Sequence, residues 1–112
     1  MKHVKCYIGT LLGDSPNCDF GTDYFGDASK LLDKARNLTK FLGTIRTNRP
    51  ECVCALMALV RRGEIKLTLH RFEVETYEWT EFDVDDDGHL IQLWPDQFFE
   101  LDYQFLFNSK SL

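Results

Sequence analysis

From Cys52 to Val60 every residue is apolar, a run bracketed by Asn48-Arg49-Pro50 on one side and Arg61-Arg62-Gly63 on the other. Both flanks read as helix ends. Proline belongs in a first turn, where its missing N–H is no loss. Cations suit the negative end of the helix dipole, and glycine just beyond it suits the left-handed cap. A helix with no polar side offers water no face, so it must be covered on several sides. Whatever the chain folds into has to place this helix inside.

The neighbouring segments supply the material. Residues 3–12 alternate in part and read as a strand with Val4, Cys6 and Ile8 inward. Residues 13–21 are dense in Gly, Asp, Ser, Pro and Asn and read as loop. A helix follows, capped by Asp27 or Ser29, with an apolar stripe of Leu31, Ala35, Leu38 and Leu42 flanked by Leu32 and Phe41. Gly43 ends it, and residues 44–47 are a short strand. After the apolar helix come three strand candidates, 65–75, 78–84 and 90–94. Ile65, Leu67 and Leu69 share one phase while Phe72 and Val74 sit in the other, so a bulge is expected near His70-Arg71. The order β-α-β-α-β-β-β-α predicts a single α/β domain over residues 1–112, its mixed sheet combining a βαβα start with an antiparallel hairpin.

The last third is the most patterned. Asp85-Asp86-Asp87-Gly88 has turn chemistry, since Asp side chains bond nearby backbone and Gly accepts positive φ. It separates Phe82 and Val84 from His89–Trp94 and so predicts a hairpin. Pro95 ends that strand and begins a C-terminal helix carrying Phe98, Phe99, Leu101, Phe105 and Leu106, under which Trp94 is expected to be buried.

Asp87-Gly88, a short strand, Trp94-Pro95 and Phe98-Phe99-Glu100 together resemble the carboxy-terminal segment of RecF/ABC-type ATPases of the AAA class. These are proteins related to the overcoming-lysogenisation-defect family, many of them associated with phage defence. Gln97 stands where that family has glycine, and the match of element order extends over residues 28–106. The resemblance implies a partial P-loop-ATPase-like fold and a role as a fragment of such a protein.

The residues for hydrolysing nucleotide are missing. A phosphate loop needs a glycine-rich turn with Lys and Ser/Thr, and no such motif occurs. Gly13-Asp14 stands where the family would place an acidic pair, and residues 47–51 lack the histidine that senses the γ-phosphate. Asp83, Asp85, Asp87 and Gly88 match half of a calcium loop, but Trp94 occupies the position that requires a bidentate Glu. His3, His70 and His89 have no ligand spacing, and Cys6, Cys18, Cys52 and Cys54 fit neither a redox pair nor a zinc knuckle. The cysteines read as small buried hydrophobes of a cytoplasmic protein. No enzyme activity and no cofactor are expected. No apolar run approaches the ~18 residues that a membrane span needs.

Charge is what remains. Residues 1–71 hold 12 Lys/Arg against 7 Asp/Glu, whereas residues 72–112 hold 1 against 11. Glu73, Glu75, Glu78, Glu81, Asp85, Asp86 and Asp87 are therefore the candidate protein-binding residues, expected to form one negative surface that repels nucleic acid. Arg46, Arg49, Arg61 and Arg62 flank the apolar helix and could touch phosphate, but helix-end and surface charges is the stronger reading. Two readings follow: a non-catalytic interaction module or remnant of the ATPase core, and a small acidic inhibitor, of immunity-protein or antitoxin type, for a basic partner. They differ over the apolar helix. A remnant would leave one side uncovered where its lost half once packed.

Overall fold

A computed structural model describes residues 1–8, 19–20, 28–73 and 75–95. Its elements are β1 (Lys2–Ile8), α1 (Ala28–Phe41), β2 (Thr44–Thr47), α2 (Pro50–Arg61), β3 (Ile65–Glu73) and β4 (Glu78–Asp83). The strands form one mixed sheet in the order β2-β1-β3-β4. β1 pairs in parallel with β2 and β3, and β4 runs antiparallel to β3. The chain is thus an α/β fold with the expected βαβα start, and its antiparallel hairpin is β3–β4 rather than the one expected across Asp85–Gly88. The C-terminal helix expected from Pro95 onward lies outside the described residues, as do Asp27 and Cys18.

Register assigns the side chains to two faces. Val4, Cys6 and Ile8 align with Ile45 and Thr47 of β2, with Leu67 and Leu69 of β3 and, across the hairpin, with Phe82. All of these are buried. α2 lies against β3 on this face, and α1 lies against α2. From Cys52 to Val60 no residue is more than 4% exposed. Pro50 occupies the first turn of α2. Its last turn closes on Gly63, φ 76°, with Gly63 N–H donating to Val60 O (2.9 Å) and Glu64 N–H to Leu59 O (3.0 Å). That pair of bonds is the Schellman motif.

α1 buries Leu31, Leu32, Ala35 and Thr39, with Leu38 and Leu42 packed at the margin. Ser29 lies inside the helix and does not cap it. Phe41, placed in the stripe by sequence, is 81% exposed. At 100° per residue it falls about 120° round from Ala35, and Thr39 takes the buried position. Two polar ties hold α1 in place. Lys2 Nζ donates to Thr39 O (2.8 Å), a cation on late carbonyls of the helix. Arg36 grips Glu64 with two bonds, Nε–Oε1 2.7 Å and Nη2–Oε2 3.1 Å.

Two further expectations are corrected. The β3–β4 ladder runs unbroken from Thr68↔Asp83 to Glu73↔Glu78, so no bulge lies near His70-Arg71. Phe72 is out of phase because β3 carries buried side chains on both faces, with Thr68 and His70 opposite Leu67 and Leu69. A strand with buried side chains on both faces has no single apolar phase. The strand expected at 90–94 is reduced to one bridge, Val84↔Leu90. There the Gln92 side chain takes the place of a ladder partner, its Oε1 accepting from Asp83 N–H at 2.8 Å. The loop before α1 also contributes to the core: Phe20 is 1% exposed, and Asp19 bonds the β2 edge through Arg46 O and Arg46 N–H. Trp94 is buried, with Phe82 as its neighbour at 4.5 Å between ring centroids, while the helix and Phe98 or Phe99 expected to cover it lie outside the described residues.

Candidate functional site

The seven candidate carboxylates are strung along β3, β4 and the turns at either end of β4, but they do not share one face. Glu73 and Glu78 are cross-strand partners on the side that carries the helices. Glu81 is on the opposite side, facing His70. Strand alternation makes this division unavoidable for residues 78 and 81. Glu73 is ion-paired with Arg71 and accepts from Thr80 Oγ1 (3.2 Å). Among the described residues it is the one carboxylate of the seven with an ion pair. Glu75, Glu78, Glu81, Asp86 and Asp87 are exposed.

Asp85 works inside its own turn. Its Oδ1 accepts from Asp87 N–H (3.0 Å) and His89 N–H (2.9 Å), and its backbone N–H donates to His89 O (2.8 Å). Gly88, φ 79°, lets the turn lie flat on the last turn of α2: a β-carbon there would sit 2.5 Å from Met57 O. The turn thus covers α2 from a third direction, after the sheet and α1. No group of three or more His, Cys, Asp or Glu able to hold a metal occurs among the described residues. Cys6, Cys52 and Cys54 are buried free thiols. No helix among the described residues is long and apolar enough to cross a membrane.

The sheet's other face bears no described helix, and it carries a cluster that sequence reasoning missed. Tyr7 stacks on His70 with centroids 4.5 Å apart and planes 11° from parallel. Trp79 meets Tyr7 edge-on at 4.9 Å and Phe72 at 5.2 Å, and Tyr77 meets Phe72 at 6.2 Å. His70 is buried, and its Nε2 has no hydrogen-bond partner. Burial holds the His70 pKa below the usual imidazole value, against the pull of Glu81 and with help from Lys5 and His3. Next to the rings, the register puts Lys5, Arg46 and Lys66 on this same face, all exposed. His3 joins them, its Nε2 hydrogen-bonded to Thr68 Oγ1 at 2.6 Å. The signal that could have found this face was Phe72 out of phase on β3, with Tyr7 in the outward phase of β1.

No family model matches the chain, and neither a curated protein nor a solved structure matches it significantly; nothing found links it to the RecF/ABC-type ATPases.

Proposed function

We propose that the chain is a non-catalytic protein-interaction module, of the small acidic inhibitor type, whose β4 side meets a basic partner protein. The observation that carries this reading is the enclosure of α2. A remnant of a larger ATPase core would leave part of an all-apolar helix open, whereas here Cys52 to Val60 are at most 4% exposed. A core closed on its own terms belongs to a self-standing domain, and this favours the inhibitor reading over descent by truncation from an ATPase.

The charge pattern supports the choice of partner. Glu75, Glu78, Glu81, Asp86 and Asp87 stand exposed without ion pairs among the described residues, along one terminal strand and its turns. Unpaired surface charge steers encounter and selects against like-charged partners more than it adds affinity. Three buried free thiols suit a reducing cytoplasm, where we place the protein.

The test compares the wild-type chain with a quadruple variant, Glu78→Lys, Glu81→Lys, Asp86→Lys and Asp87→Lys, each immobilised and exposed to host lysate. All four positions are exposed, so the variant should fold. Wild type should retain a basic protein that elutes as salt rises and the charges are screened. The variant should lose it. Retention of the same protein by both would overturn the reading.

A further inference from the structure

We propose that the sheet face bearing no described helix binds single-stranded nucleic acid. Tyr7, Trp79, Lys5, Arg46 and Lys66 are none of the carboxylates proposed to meet a protein, although Glu81 stands on the same face. The chain's acidic half holds Tyr77 and Trp79 but no Lys or Arg between Phe72 and Ser109. Folding supplies what that half lacks. Parallel pairing of β1 with β2 and β3 brings Lys5, Arg46 and Lys66 onto the face where Tyr7 and Trp79 stand. Exposed rings beside a cationic track is the chemistry that holds unpaired bases by stacking and their phosphates by charge.

Charge also sets the path. The cations lie on β2, β1 and the first half of β3, while Glu81 and Asp83 occupy β4 on the same face. A phosphate backbone is therefore held over β2 and β1, with bases turned toward the rings and phosphates away from the carboxylates. Lys5, Arg46 and Lys66 make no ion pair with a described carboxylate. Trp79 at 43% and Tyr77 at 68% exposure leave ring surface to stack on. A duplex hides its base faces and gains only the charge contacts. An anionic peptide would use the cations and leave the rings uncovered.

The experiment titrates the full chain into fluorescein-labelled twelve-nucleotide oligo-dT and oligo-U, reading anisotropy, with a duplex of the same length as the comparison. Both single strands should bind in the micromolar range at low salt, and the duplex at least fivefold more weakly. Three phosphate contacts should give a log–log salt slope of about −2, falling to about −0.7 when Lys5→Ala and Arg46→Ala are combined. Trp79→Ala should raise Kd roughly fivefold or more, the scale of losing one stacked base. Asp86→Asn with Asp87→Asn should leave Kd within about twofold, which separates this face from the acidic turns. Several results overturn the proposal: no anisotropy change up to about 100 µM protein, equal binding of duplex, or an unchanged Kd for Trp79→Ala. Concentration-dependent dimerisation that excludes the oligonucleotide would instead assign the face to a second copy of the chain.

Discussion

A β-carbon at Gly88 would meet Met57 O at 2.5 Å and Arg61 Cβ at 3.2 Å, on a backbone already at φ 79°. Both the clash and the left-handed angle penalise any other residue. Gly88→Ala should therefore lose about 2 kcal/mol or more in urea unfolding. Gly43→Ala, with nothing within 4 Å, should change stability by under ~0.5 kcal/mol. His70 gives a second test at this scale. Its folded pKa is lowered by burial, so protonation favours the unfolded chain. The stability that neutral His70 contributes is complete above the unfolded value of about 6.5 and lost as pH falls through the folded pKa. Glu81 opposes the shift, while Lys5 and His3 reinforce it. Melting temperature should fall between pH 7.5 and 5.5, and His70→Phe should flatten that fall. Parallel profiles for the two proteins would show His70 to be uninvolved.

Trp94 and the segment around it act at the scale of the element. Trp94 is 8% exposed and lies on Phe82, and Asp85 and Gln92 secure the turn that precedes it. Trp94→Ala should cost on the order of 3–5 kcal/mol by urea titration, the range for a large aromatic removed from a core. A loss under ~1 kcal/mol would mean that the segment contributes little to closing the fold. The elements themselves were legible where one periodicity ruled. Pro50 to Gly63 announced α2 and both its ends, and Thr44–Thr47 was placed to the residue. Legibility failed where two forces competed. β3 switches its apolar residues from one face to the other at Leu69-His70, which in sequence looks like a bulge. At 90–94, a glutamine side chain displaced a backbone ladder that alternation alone predicts. Phe20 was invisible because a run of turn formers gives no hint that one aromatic inside it reaches the core.

For the molecule as a whole, sequence and structure disagree about where function could reside. Along the chain, the charges divide into a basic first part and an acidic remainder. Across the described sheet, carboxylates gather along β4 and its turns, Lys5, Arg46 and Lys66 stand on β1, β2 and the start of β3, and the aromatic rings stand between the two. The candidate carboxylates could be named from sequence, but their distribution over two faces could not, because it depends on strand register. The sheet-face cluster draws on three strands and was hidden for the same reason. Closure of the core is decided at α2. Native-state hydrogen exchange over α2 measures it directly. If the helix is enclosed by sheet, α1 and the 85–88 turn, the Val53–Val60 amides should exchange only through global unfolding, with free energies equal to that from urea titration. Exchange of those amides at more than ~2 kcal/mol below the global value would mean that one side of α2 opens readily, and would contradict the account of α2 as enclosed on all sides.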